Sequence, residues 1–195
     1  MKATVSFLGA FLFSLAFLGC IVEPEDPIEE PEDFSCLKLY DNQGQDMGIY
    51  GCTTSDDWTN QSLSVDELNY FAQNDTATLA GTESSNITGI ALYPVPIVQS
   101  SFFSITLLSP DTGKKVKLQL AFIDEDHNVI NSFSRQIDCH GTINLMVPAD
   151  KFKRGAFYRV FYRISAENAA VLFEGHGNIV VCKEPGIFDI DTGCI

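Results

Sequence analysis

"AFYRVFYRISA", Ala156–Ala166, decides the fold. Its side chains alternate with period two, so Phe157, Arg159, Phe161 and Arg163 share one face and Tyr158, Val160, Tyr162 and Ile164 the other, which is strand geometry. Aromatic residues on both faces suit a strand with one buried side and a flanked second side. Working outward, the same kind of segment recurs as "GIALYPV", "SFFSITLLS", "KVKLQLAFID", "NVINSFSRQ", "GTINLMVP" and "AVLFEGHGNIVVC". The breaks between them are turn-forming stretches at 109–113, 124–128, 148–155 and 167–168. Seven strands with this spacing and no helical period predict an immunoglobulin-like antiparallel β-sandwich over residues 87–183, making the chain mainly β.

Upstream, residues 34–86 predict a small N-terminal segment. "CLKLYDNQGQDMGIYGC" alternates on either side of Asp41-Asn42-Gln43-Gly44 and reads as a hairpin. "LSVDELNYFAQ" reads as one short helix, because Ser64 and Glu67 form a capping box and Val65, Leu68 and Phe71 give an apolar stripe. Residues 74–88 are polar and read as a loop, and residues 184–195 as a tail without a period.

The N-terminus carries a different signal. Lys2 is followed by an apolar run from Phe7 to Leu18, too short to span a bilayer comfortably, which reads as a signal peptide over residues 1–19. Its end, Phe17-Leu18-Gly19-Cys20, resembles the lipobox of bacterial lipoproteins, and the resemblance implies a diacylated Cys20 at the mature N-terminus. Residues 20–33 then hold seven acids together with Pro24, Pro27 and Pro31, a composition that buries nothing and stays extended. They read as a tether from a lipid anchor. Residue 21 is Ile rather than the Asp that marks inner-membrane retention in some bacteria, and an acidic patch after the lipidated cysteine resembles the surface-export signals of bacteria that display lipoproteins outward. Both imply the outer membrane, with the body exposed at the cell surface.

Formal charge is −14. Nine acids face Lys38 alone over residues 34–111, whereas residues 114–183 hold ten of the twelve Lys and Arg. Such a balance excludes nucleic acid as the expected partner. Beyond Cys20, five cysteines remain, Cys36, Cys52, Cys139, Cys182 and Cys194, and outside the cytoplasm they read as disulfides plus one leftover thiol. Cys36 and Cys52 would close a local loop, while Cys182 could join either Cys194 or Cys139. No spacing is that of a zinc or thioredoxin-like site, so no metal and no cofactor are expected.

The opening Tyr-Pro-Val-Pro at residues 93–96, the strand-turn-strand "IDEDHNVI" and the Gly-aromatic start at Gly155 make the C-terminal half resemble the sorting domains of type IX secretion substrates. That resemblance covers about 95 residues and implies a small immunoglobulin-like sandwich. The whole layout, including "GHGNIVVC", resembles small outer-membrane lipoproteins of the same bacteria.

Other motifs read more plainly as structure. Asp124, Asp126 and Asn128 have the alternate spacing of a calcium loop, but Val129 stands where that loop needs Gly and Arg135 where it needs Glu, so a hairpin turn is expected. Asp189 and Asp191 lie in a single "FDIDTG", whereas acid catalysis of the aspartic-protease kind needs two facing carboxylates. His127, His140 and His176 fall at no common spacing, and "GHG" at 175–177 reads as a strand bulge. Asp75-Thr76-Ala77 fits a short O-glycosylation acceptor pattern. Trp58, the sole tryptophan, stands in the polar "SDDWTNQS"; it either folds back over a small core or, with Tyr70 and Phe71, offers an exposed platform for a glycan.

No nucleophile elbow, phosphate loop or paired carboxylate is present, and no catalytic residue is assigned. The reading is a non-catalytic lipoprotein, anchored to the membrane through Cys20, that binds a membrane-protein partner in an assembly. Docking would use the mildly basic sandwich, an edge strand, or the aromatics between Phe157 and Tyr162. Glycan capture and a sorting module are the alternatives.

Overall fold

The computed structural model describes residues 33–71, 86–108, 115–138, 140–166, 170–186 and 194. The segments expected to be a signal peptide and a tether, residues 1–32 with Cys20, as well as Asp75-Thr76-Ala77, Cys139, Asp189 and Asp191, lie outside them. Residues from Asp33 onward form one compact unit. Among the described residues no helix is long and apolar enough to cross a membrane.

Among the described residues the unit holds nine strands, one short α-helix and a 3-10 turn at Ala149–Lys151: β1 Leu37–Tyr40, β2 Asp46–Tyr50, α1 Val65–Asn69, β3 Asn86–Tyr93, β4 Ser100–Leu108, β5 Lys115–Asp124, β6 Val129–Asp138, β7 Gly141–Pro148, β8 Ala156–Ser165 and β9 Val171–Val181. The last seven are the strands expected from the alternation. They form two antiparallel sheets, ordered β3-β4-β7 and β6-β5-β8-β9, with β1 and β2 as a separate hairpin. The fold is therefore an immunoglobulin-like sandwich with an N-terminal hairpin and one short helix. Leu92, Phe103, Ile105 and Leu107 from the first sheet meet Leu118, Leu120, Phe122, Val160, Tyr162 and Ile164 from the second, all but fully buried, and burying such side chains contributes about 1.5–3 kcal/mol each.

Between β3 and β4, which share one sheet, the connecting segment bridges to the hairpin and to the last strand. Tyr40 and Val95 exchange both backbone hydrogen bonds, and Ile97 pairs parallel with Val181, its N–H donating to Val180 O and its O accepting from Cys182 N. The peptide bonds before Pro94 and Pro96 are cis. Thus the Tyr-Pro-Val-Pro segment ties the hairpin, the first sheet and the last strand together.

The hairpin turn is held by Asp41, whose Oδ1 accepts from Gln43 N and Gln45 N, both at 2.8 Å. Gly44 supplies a positive φ of 76° and lies against the Tyr93 ring. The helix is held at its start by the expected capping box, with Ser64 Oγ accepting from Glu67 N and Glu67 Oε2 accepting from Ser64 N. Its apolar stripe is narrower than expected. Phe71 is buried and Leu68 half-buried, but Val65 is 77% exposed, because in so short a helix the first turn projects past the surface it packs on.

That surface is the outward face of the four-stranded sheet. Phe34, Leu63 and Phe71 cover Ala121, Ile123 and Phe161, so β8 is buried on both faces rather than on one. Residues 34–71 therefore share a core with the sandwich instead of standing beside it. Tyr40 and Trp58 even enter the space between the sheets.

Candidate functional site

The stretch from Ser55 to Leu63 has no regular structure of its own, yet it runs along β9, the edge strand of the four-stranded sheet. Trp58 N donates to His176 O and Gln61 N to Glu174 O, each at 2.8 Å. Short polar side chains fold this stretch locally: Ser55 Oγ accepts from Asp57 N, and Thr59 Oγ1 donates to Asp56 O. Trp58 adopts a left-handed backbone with φ of 62°, uncommon for a large side chain. This turns the indole inward, where it stacks on Tyr162 with centroids 6.0 Å apart and meets Phe103 edge-on.

Gly175 and Gly177 make this approach feasible. A Cβ on Gly177 would lie 2.3 Å from the Trp58 ring, and one on Gly175 would lie 2.4 Å from Thr59 O. The β8–β9 register runs through 175–177 without a shift, so "GHG" is not the expected bulge. Its glycines mark where another part of the chain presses onto the strand.

Asp57 is 2% exposed and joins three parts of the chain. Its Oδ2 accepts from Lys38 N on β1 and its Oδ1 from Asn178 N on β9, both at 3.0 Å. Burial pushes its carboxyl up to about 6 in spite of these bonds. Asn178 in turn donates through Nδ2 to Asp33 O and Cys36 O and accepts from Arg159 Nε at 2.8 Å. Arg159 is buried with its guanidinium 4.7 Å from the centre of the Phe34 ring, so the cation lies under an aromatic face.

His176 points to the outward side of the same sheet, edge-on to Phe161. Gln61 Nε2 lies 2.8 Å from its Nδ1, and Asp56 Oδ1 lies 3.7 Å from its Nε2. Burial, followed by the nearby Arg159, holds the imidazole down to about 4. The donor atoms of Asp56, Asp57 and His176 all fall within 4.8 Å of one another. Beside them Glu174 pairs with Arg163 at 3.2 Å and accepts from Leu63 N.

Several expected binding residues lie elsewhere than expected. Trp58 and Phe71 are each 5% exposed, inside two different clusters, and Tyr70 is half-buried, stacked on Phe161 with its hydroxyl 3.1 Å from His127 Nδ1. They form no exposed platform, because the loop and helix that carry them are folded onto the sheet. Tyr158, Phe161 and Tyr162 are likewise buried and offer no docking surface. Disulfides join Cys36 to Cys52 and Cys182 to Cys194, and the second draws Cys194 into a cluster with Leu37 and Val180. Asp124 is a turn residue: its Oδ1 accepts from Asp126 N and Asn128 N.

Sequence reasoning did not bring Asp56, Asp57 and His176 together. The available signal was the pair of glycines flanking a histidine in a strand, which indicates a close neighbour but not its identity.

No protein-family model matches the chain, and no curated protein matches it either. Among solved structures, it is similar to a glycosyl hydrolase family 2 member from Bacteroides cellulosilyticus, at 16% identity and a TM-score of 0.37 over 52% of this chain and 15% of that one. It is also similar to a β-glucuronidase from Bacteroides uniformis, at 14% identity and a TM-score of 0.33 over 52% of this chain and 13% of that one. The chain thus spans less than a fifth of the length of either protein.

Proposed function

We propose that the protein is a non-catalytic outer-membrane lipoprotein, lipidated at Cys20, that docks onto a membrane-protein partner as an accessory subunit of an assembly exposed at the cell surface. The anchor rests on the signal-like N-terminus ending in Gly19-Cys20 and on the acidic, proline-bearing stretch that follows it.

The observation that carries the docking half is a strip of apolar side chains across the outward face of the three-stranded sheet. Tyr93 is opposite Phe102 and Phe102 opposite Met146, with Phe102 41% and Met146 65% exposed. The rows beside it, Ala91-Ser104-Asn144 and Gly89-Thr106-Thr142, carry no charge. Charge depletion with aromatic and Met enrichment is the composition of an interface centre. At Met146 the strip runs into an open groove of about 500 Å³ between β6 and β7, edge strands of the two sheets, lined by Phe133, Ser134, Arg135, Asn144 and Leu145. Edge strands beside an apolar strip are what a partner strand or loop would use.

The test is a mild crosslink on intact cells, then purification through a C-terminal tag and mass spectrometry of the N-terminal peptide and of the crosslinked species. The expected result is a diacylated Cys20 and one stoichiometric membrane protein, lost in Phe102→Glu and Met146→Glu variants that melt like the parent. An unmodified N-terminus would overturn the anchor, and partner recovery unchanged by both substitutions would overturn the docking face.

A further inference from the structure

We propose that Asp56, Asp57 and His176 bind a divalent first-row cation, with zinc the best fit, and that the bound ion clamps the 55–63 loop onto β9. This is independent of the docking face, which lies on the other sheet.

His176 Nε2 and Asp56 Oδ1 are 3.7 Å apart. A charge-assisted N–H···O bond would close to about 2.8 Å. Two ligands each about 2.1 Å from a shared tetrahedral ion stand about 3.4 Å apart. The observed separation is nearer the second figure. The third donor, from Asp57, lies in the same cluster. Its two oxygens each accept one backbone N–H, which leaves lone pairs on both for an ion while the bonds hold the carboxylate in place.

The surroundings suit coordination through His176 Nε2. A metal-bound imidazole keeps its proton on Nδ1 and needs an acceptor there. Gln61 supplies its amide at 2.8 Å from Nδ1, and because the oxygen and nitrogen ends of a glutamine are assigned from the hydrogen-bond network, the oxygen end can face that proton. Gln61 is itself fixed by its N–H to Glu174 O. His176 is held in the β8–β9 ladder opposite Phe161.

One imidazole and two carboxylates form a nitrogen and oxygen donor set suited to zinc or its neighbours rather than to an oxygen-only calcium cage. Three protein ligands leave a fourth position, and the solvent-facing Asp56 places it where water can enter.

Trp58 follows two of the ligands directly and is the only tryptophan, so its emission reports on the site. The experiment titrates the full chain, stripped with a chelator, with zinc chloride, following Trp58 fluorescence and calorimetric stoichiometry. The expected result is one ion per chain, a raised melting temperature, and affinity at least tenfold weaker in both Asp56→Asn and His176→Gln. Asp56→Asn changes a side chain exposed to solvent and should melt like the parent in chelator, which separates loss of a ligand from loss of the fold. His140→Gln, on the surface, should bind as the parent does. Cobalt in place of zinc should give the visible absorption of a tetrahedral nitrogen and oxygen site. Binding only at millimolar zinc, or affinity unchanged in both ligand variants, would overturn the proposal.

Discussion

Trp58 lies flat against Gly177, so close that a single added methyl at 177 would stand 2.3 Å from its six-membered ring. The two residues come from opposite ends of the chain, and each explains the other: the glycine exists as a bare patch of strand because the indole needs the space.

Gly177→Ala should therefore act as a wedge. Either Trp58 is pushed out or β9 shifts, and overpacking of this kind costs about 1–3 kcal/mol. Denaturant melts followed by tryptophan emission should show a lower midpoint and a red-shifted native spectrum. An unshifted spectrum with an unchanged midpoint would mean that the indole does not occupy this position.

Asn178→Ala removes the side chain that serves Asp33 O, Cys36 O and Arg159 Nε at once. Leaving buried polar groups unmatched costs about 1–3 kcal/mol each, so a loss of roughly 3 kcal/mol or more is expected. The damage should concentrate in residues 33–40. Hydrogen exchange there should accelerate before it does in β5 or β8.

The strands were legible because alternation and turn chemistry are local. β5 and β7 fall on "KVKLQLAFID" and "GTINLMVP" residue for residue. The helix start was legible through Ser64 and Glu67, a pattern contained in four residues. What could not be read is the use of residues 34–71 as a cover for the sandwich. Arg159 and Arg163 alternate with aromatics and look like the solvated face of β8, yet Arg159 is 5% exposed because Phe34, more than a hundred residues away, closes over it. Trp58 sits in a polar octet with no period, so nothing nearby reveals that it fills the core. The choice between Cys139 and Cys194 as the partner of Cys182 was open for the same reason.

Asp57 and His176 give the protein two opposing pH dependences. Asp57 is raised to about 6 from 3.8, so the folded state holds a proton that the unfolded state releases, and stability falls as pH rises from about 4 to 6. His176 is lowered to about 4 from 6.5, so the unfolded state binds the proton first, and stability falls as pH drops from 6.5 to about 4. Each shift corresponds to about 3 kcal/mol at 1.36 kcal/mol per pH unit, and over pH 4 to 6 the two nearly cancel. With chelator present, the parent should show a flat stability profile in that window. Asp57→Asn should expose a profile that climbs with pH, and His176→Gln one that declines. Parallel profiles in all three proteins would show that these groups do not carry the titration.

The Cys36–Cys52 disulfide closes a loop across 16 residues, the size for which cross-linking contributes about 3 kcal/mol through the unfolded chain. A Cys36→Ala, Cys52→Ala double variant should unfold at a correspondingly lower denaturant concentration. Its hairpin should survive, because Asp41 and the β1–β2 ladder remain.

The bonds from Asn178 to Asp33 and Cys36 span 145 and 142 residues. A chain delivered from its N-terminus exposes Leu37 and Trp58 long before β9 arrives to receive them. Folding is then governed by the slowest kind of contact, the kind that joins the two ends of the sequence. Completion comes when the final strand arrives under segments that have waited for it, and a chain halted before residue 171 would leave Leu37 and Trp58 without the Val180 and Gly177 they pack on, while Phe34 could still reach β5 and β8.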